Sequence, residues 1–111
     1  MTTLSFEVRP VGSTHTVVAV AGEVDMATAP QLEECLLAQG DLDVTVDLSG
    51  VGFIDSAGLG ALVHAAKAIR TAGHRFRTTG ERDNVATVMD LVGLTSIFHD
   101  DVPIADESSG S

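Results

Sequence analysis

The sequence predicts a single α/β domain: a mixed, mostly parallel sheet of four to five strands with about three packed helices. Three observations predict this fold. The chain has 111 residues, 44% of them hydrophobic, which suits one domain with one core. Runs that alternate apolar and polar residues are interspersed with runs of apolar residues at helical spacing. Their order, β-β-α-β-α-β-α, joins a hairpin to β-α-β units and so mixes antiparallel and parallel strand pairs.

The first two elements are predicted to form a β hairpin. In residues 4–9, Leu4, Phe6 and Val8 alternate with polar residues, as in a half-buried strand. Residues 15–22 are rich in valine, and a turn containing Gly12 separates the two runs.

A first helix is predicted to follow residues 22–30. Thr28 and Gln31 have the spacing of a capping box, and Pro30 is tolerated in a first turn. Cys35 lies on the apolar face of this helix and is interpreted as a small buried hydrophobe. Gly40 ends the helix.

The second half of the chain continues the alternation of strands and helices. Residues 42–50 predict a strand, and the apolar spacing over 59–69 predicts an amphipathic helix. A short strand is expected at 74–79 and a third helix at about 83–93. Residues 96–99 are interpreted as a small edge strand. We expect order over about residues 3–102, with a frayed polar tail over about 103–111.

Charge and composition exclude several classes of partner. Six Lys and Arg against sixteen Asp and Glu give a formal net charge of −10, which argues against nucleic acid and against direct binding to anionic membranes. With one cysteine, no disulfide can form within the chain. Neither a signal peptide nor an apolar run of roughly 18 residues is recognisable. A cytoplasmic protein is therefore predicted.

The stretch GFIDSAGLG, residues 52–60, places a serine at a strand-to-helix junction without the motif of an enzyme. A nucleophile elbow needs glycine two residues before the serine, where Ile54 stands. Asp55 replaces the third glycine of a dinucleotide fingerprint. The four histidines are too far apart in sequence for metal-ligand spacing. We therefore expect no enzyme activity, no catalytic residues, no metal and no cofactor.

Ser56 and its neighbours leave two local questions open. Either Ser56 or Asp55 is suited to cap the following helix. Gly58 and Gly60 each cost about 0.8–1 kcal/mol against alanine inside a helix. Either close packing on the sheet or the approach of a partner backbone explains them.

A second acidic group leaves the second strand at Glu23 and Asp25. If this strand end adjoins the strand that leads to Ser56, Glu23, Asp25 and Asp55 surround the serine. The alternative is a solvated acidic loop in which Asp25 bonds its own turn.

Three motifs, in this order and spacing, resemble the STAS domain, and within it the bacterial anti-sigma factor antagonists. They are GEVD (22–25), VDLSGVGFIDSAGLG (46–60) and LVGL (91–94), and the resemblance covers about residues 4–99. It implies a single STAS domain over 1–111, phosphorylated at Ser56 by an anti-sigma factor that is also an ATP-dependent serine kinase. The unphosphorylated antagonist binds that partner and frees the sigma factor. The phosphorylated form releases its partner, and a separate phosphatase resets the antagonist.

The resemblance also implies a partner-binding surface around the serine. Phosphorylation adds about −1.5 to −2 charges, which nearby carboxylates oppose and which the free N–H groups of a helix start accept. Ala57 stands where many relatives carry a second small hydroxyl residue. The closing segment is shorter and more polar than usual in the family. The expected partner-binding residues are Glu23, Asp25, Asp55, Ser56, Ala57, Gly58 and Gly60.

Two other functions compete with this one. Single STAS domains also resemble constitutive scaffolds, or accessory subunits of membrane transporter complexes, although those tend to carry threonine at the position of Ser56. A small hydrolase using Ser56 is the third interpretation.

Overall fold

The computed structural model describes residues 3–99, which form an α/β fold of four strands and four helices. The predicted fold class is therefore confirmed. The expected end of order near residue 102 and the expected tail at 103–111 lie outside the described residues. The strands are β1 (Ser5–Val11), β2 (His15–Val24), β3 (Asp43–Ile54) and β4 (Phe76–Thr79). The helices are α1 (Ala29–Leu37), α2 (Ser56–Thr71), α3 (Asp83–Leu91) and α4 (Thr95–His99).

The four strands form one mixed sheet in the order β1-β2-β3-β4. β1 pairs antiparallel with β2, as the predicted hairpin requires. β2, β3 and β4 run parallel, because α1 and α2 carry the chain back between them. The carboxyl ends of β2 and β3 therefore lie at the same edge of the sheet.

The core lies between the sheet and the helices. Alternate residues of β3, from Val44 to Leu48, are buried, whereas Thr45 and Asp47 on the opposite face stay partly exposed. The amphipathic spacing of α2 buries its apolar side against this inner face. Fully buried side chains come from β2, β3, β4 and the first three helices; they include Val18, Val20, Leu32, Leu36, Val46, Leu62, Phe76 and Met89.

The edge strand predicted at 96–99 is wrong, because this segment is the short helix α4. The ring of Phe98 is buried against Phe76, with centroids 5.9 Å apart in an edge-to-face arrangement. Arg70 of α2 donates from one guanidinium nitrogen to the carbonyl oxygens of Phe76, at 3.0 Å, and Ile97, at 2.5 Å. The packing of Phe98 and the hydrogen bonds from Arg70 hold this segment over β4 as a helix. Among the described residues, the sheet therefore has four strands.

Candidate functional site

The carboxyl ends of β2 and β3 adjoin, as the sequence required for a shared site. Glu23 is in register with Phe53, and Val24 with Ile54. The Asp55 N–H then donates to the Val24 carbonyl oxygen at 3.1 Å. Glu23 at the end of β2 and Asp25 in the turn that follows therefore lie beside the junction that carries Asp55 and Ser56.

Asp55, and not Ser56, is the N-cap of α2. Its backbone is extended, and one carboxylate oxygen accepts the N–H groups of Ala57 at 2.9 Å and Gly58 at 3.1 Å. Ser56 is the first residue of the helix and is exposed. Among residues 3–99 its hydroxyl has no hydrogen-bond partner. The interpretation of Ser56 as a cap is thus wrong, because the Asp55 carboxylate already accepts the N–H groups of the first turn.

Asp25 orders the turn before α1. One oxygen of its carboxylate accepts the N–H groups of Ala27 at 2.9 Å and Thr28 at 3.0 Å. The alternative in which Asp25 bonds its own turn is therefore correct for this oxygen. The turn is held at the edge of the sheet, so Asp25 has a fixed position beside the end of β3.

Thr28 does not form the predicted capping box, although it is the N-cap of α1. Its hydroxyl donates to the Glu23 carbonyl oxygen at 2.8 Å and accepts the Asp25 N–H at 2.9 Å. The side chain is buried, and its hydroxyl is used to close the turn rather than to cap the helix. The capping box does not form because the Glu23 carbonyl and the Asp25 N–H bind the same hydroxyl.

The two glycines of α2 have different explanations. A Cβ at Gly58 would lie 2.6 Å from Cγ1 of both Ile54 and Val24, so this glycine permits close packing of the helix on two strand ends. A Cβ at Gly60 would meet no atom of the described residues within 4 Å. Packing on the sheet therefore explains Gly58 but leaves Gly60 unexplained.

The contacts of the four histidines are with residues other than Ser56. Among residues 3–99 there is also no cluster of three or more His, Cys, Asp or Glu suited to a metal ion. The histidine contacts are His15 with Thr45 at 2.8 Å, His64 with Glu33 at 3.4 Å, His74 with Asp43 at 3.6 Å and His99 with Glu81 at 2.6 Å.

Two residues that sequence reasoning missed fasten the start of α3 to β3. Arg82 donates from Nε to the Ser49 carbonyl oxygen at 2.9 Å, and Asn84 donates from Nδ2 to the Gly52 carbonyl oxygen at 2.7 Å. Both bonds are to the second half of β3, which leads into Asp55. They join residues more than 30 positions apart, so no local pattern in the sequence indicates them.

A second missed cluster lies at the end of β4. The Glu81 side chain is only 6% exposed, and its carboxylate accepts the Thr78 hydroxyl at 2.5 Å and contacts Nε2 of His99 at 2.6 Å. Burial opposes ionisation of this carboxyl, but the bonds to Thr78 and His99 outweigh it and lower the pKa of Glu81. This cluster joins α4 to the loop before α3.

None of the helices among residues 3–99 has the length and apolar character needed to cross a membrane.

Comparisons with known proteins identify relatives of most of the described domain. The family model described as "Mlab, STAS domain" matches residues 11–99. The anti-sigma-B factor antagonist of Staphylococcus epidermidis is 35% identical over 85 residues, which cover 74% of this chain and 79% of that protein.

Solved structures show the same architecture. An anti-sigma factor antagonist from Mycobacterium paratuberculosis matches with a TM-score of 0.76 and 28% identity, covering 86% of this chain and 83% of that one. The Bacillus protein SpoIIAA, 19% identical in its unphosphorylated form and 18% in its phosphorylated form, matches with TM-scores of 0.72 and 0.67. The match covers 96% of this chain in both cases, and 92% and 96% of SpoIIAA. At that identity SpoIIAA shows the shared fold alone.

Proposed function

This chain belongs to the STAS-domain family, and on that premise we propose that it is an anti-sigma factor antagonist switched by phosphorylation of Ser56. The carrying observation is the position of the Ser56 hydroxyl. It is exposed on the first residue of α2, beside a helix cap that another residue supplies. Because the fold does not use this hydroxyl as a cap, a kinase can modify it without removing that stabilising bond.

The partner is an anti-sigma factor with serine kinase activity. The unphosphorylated chain binds it and frees the sigma factor; the phosphorylated chain releases it, and a phosphatase reverses the modification. The antagonist named in Staphylococcus epidermidis supports the assignment of the partner. The kinase supplies the base, ATP and magnesium, while this chain, which is not an enzyme, supplies the hydroxyl. Both proteins act in the cytoplasm.

A phosphate on Ser56 acts at the contact surface itself. The Ala57 and Gly58 N–H groups, which a phosphate would otherwise use, are already bound by Asp55. The phosphate therefore adds bulk and about −1.5 to −2 charges that no group of the helix start neutralises. Where a partner packs closely against Ser56, steric block and the desolvation cost of the phosphate weaken the contact, and no refolding is needed.

The proposed contact surface follows the two adjoining strand ends and the start of α2. Gly58 contributes to it through backbone and shape, because its missing side chain allows α2 to approach Val24 and Ile54. The surface comprises Glu23, Asp25, Asp55, Ser56, Ala57, Gly58 and Gly60.

Phosphate mapping tests the proposal. The purified chain is incubated with its captured anti-sigma partner, ATP and Mg²⁺, and peptides are analysed by mass spectrometry. We expect one phosphate on Ser56, none in Ser56→Ala, and an unchanged phosphate in the control Ser96→Ala, which removes another exposed serine. Release of the partner by ATP from Ser56→Ala contradicts the switch. A complex with an ATP-binding transport subunit that ATP does not dissociate supports the scaffold function instead.

A further inference from the structure

A groove of about 600 Å³ lies between α1 and α2 and begins beside Ser56. Neither the core nor the switch accounts for it. Most of its lining is apolar or small, and the two helices contribute opposite walls. Its lining includes Met26, Pro30 and Leu37 on the α1 side and Ala57, Gly60 and Ala61 on the α2 side.

Two large apolar side chains on the groove are exposed to solvent. Met26 is 79% exposed and Leu37 is 43% exposed. Removing apolar surface from water is favourable, and apolar side chains grouped on one surface are typical of protein contacts. Both residues therefore gain from a partner that enters the groove.

Gly60 supports the same conclusion independently. A glycine inside a helix costs stability relative to alanine, and no atom of residues 3–99 lies within 4 Å of the position where its Cβ would be. The missing side chain keeps the wall of the groove low, so that another backbone can approach. Within that part of the chain no side chain fills this space, unlike the space at Gly58.

The charge of the groove indicates which class of partner binds in it. Glu33 and Glu34 line the groove, and its one histidine, His64, lies 3.4 Å from Glu33. The end of the groove at Ala57 continues toward the Asp55 carboxylate, and the chain has a net charge of −10. A second copy of this chain would bring carboxylates against carboxylates, whereas a basic segment would be attracted.

We propose that this groove binds an amphipathic, basic helix of the anti-sigma partner. Only the identity of that partner rests on the proposed function. Apolar residues of that helix, spaced at i, i+3, i+4 and i+7, contact Met26, Leu37 and the low wall at Gly60. Its flanking Lys and Arg side chains face Glu33 and Glu34. The groove extends the contact surface from Ser56 along α2, so a phosphate obstructs the contact at the Ser56 end and leaves the rest of the groove open.

A peptide titration tests the groove without kinase or ATP. The ¹⁵N-labelled chain is titrated with a 14-residue peptide that has Leu at i, i+3, i+4 and i+7 and Lys elsewhere. We expect NMR shift changes centred on Ala57, Gly60 and Ala61, and at least tenfold weaker binding by Met26→Glu. Leu91→Glu is the matched control, because Leu91 of α3 is 80% exposed and lies outside the groove; its affinity should stay within twofold. Met26→Glu should likewise weaken binding of the purified anti-sigma partner more than Leu91→Glu does.

Four results would overturn the proposal that the groove binds this helix. The first is the absence of shift changes in the groove, and the second is a set of shifts spread over the whole acidic surface. The third is equal weakening by Met26→Glu and Leu91→Glu. The fourth is concentration-dependent self-association that Met26→Glu abolishes, because it would make a second copy the occupant. If Ser56 is phosphorylated but the groove gives no shifts, only the groove is wrong; if the groove binds the peptide and Ser56 is never phosphorylated, only the switch is wrong. Gly60→Leu, which fills the open space, provides a second variant for the same measurement.

Discussion

The backbone N–H of Asp55 donates to the carbonyl oxygen of Val24 at 3.1 Å. This bond joins the end of β3 to the end of β2 at the residue where the chain leaves the sheet. Because Asp55 is held in an extended conformation, its carboxylate is placed over the first turn of α2. The next residue, Ser56, is thereby presented at the helix surface beside the acidic turn.

Alanine at Gly58 and at Gly60 should have opposite effects on stability. Gly58→Ala places a Cβ 2.6 Å from side-chain carbons of Val24 and Ile54, so we expect a loss of about 1–3 kcal/mol. Gly60→Ala meets no atom of residues 3–99 within 4 Å and should raise the free energy of unfolding by about 0.5–1 kcal/mol. Urea denaturation measures both. A loss of stability at Gly60 would contradict the open geometry of the groove.

Removal of the Asp55 cap should cost more than removal of the Ser56 hydroxyl. Asp55→Ala leaves two N–H groups without their acceptor and should lower the free energy of unfolding by about 1 kcal/mol. Asp55→Asn retains an acceptor and should lose less. Ser56→Ala should change stability by less than about 0.5 kcal/mol. Equal losses in Asp55→Ala and Ser56→Ala, measured by urea denaturation, would identify Ser56 as part of the cap.

Phosphorylation of Ser56 should lower the thermal stability of the free chain by a few degrees. The phosphate and the Asp55 carboxylate are both anionic, and they compete for the same helix start. Differential scanning fluorimetry of the phosphorylated and unphosphorylated chains measures the shift. It should shrink in 0.5 M salt and in the matched control Asp55→Asn; a shift independent of both would show that repulsion from Asp55 is not its cause.

Acid should weaken the contact between α4 and the loop before α3. The pKa of Glu81 in the folded chain lies below its ordinary value of 4.5, because the bonds to Thr78 and His99 outweigh burial. Ionised Glu81 therefore contributes stability above that ordinary value, and the contribution is lost as the pH falls through the lower folded pKa. Urea denaturation at a series of pH values should show a shallower acid dependence for Glu81→Gln.

Glu34→Gln is the control for the pH series, because Glu34 is exposed on α1 and lies away from this cluster. Its acid dependence should follow that of the original chain. The same slope in Glu81→Gln and the original chain would exclude Glu81 as a source of the acid sensitivity.

The alternation of apolar residues, the helical spacing and the order of elements determined most of the fold. They predicted a mixed sheet of four to five strands with about three helices, because burial of an apolar face is encoded in local periodicity. They also placed Ser56 at a strand-to-helix junction, and the adjoining ends of β2 and β3 followed from parallel pairing.

Tertiary contacts decided between alternatives that local periodicity does not distinguish. Asp and Ser are comparable N-caps, and Asp55 took the position because its bond to Val24 fixes where the strand conformation ends. Gly58 and Gly60 look alike in sequence, but only Gly58 lies against the side chains of two strand ends. Residues 96–99 became helix rather than strand because Phe98 packs on Phe76, a residue distant in sequence. In each case the deciding contact joins residues that local pattern cannot relate, since their distance is set only once the sheet and helices have packed.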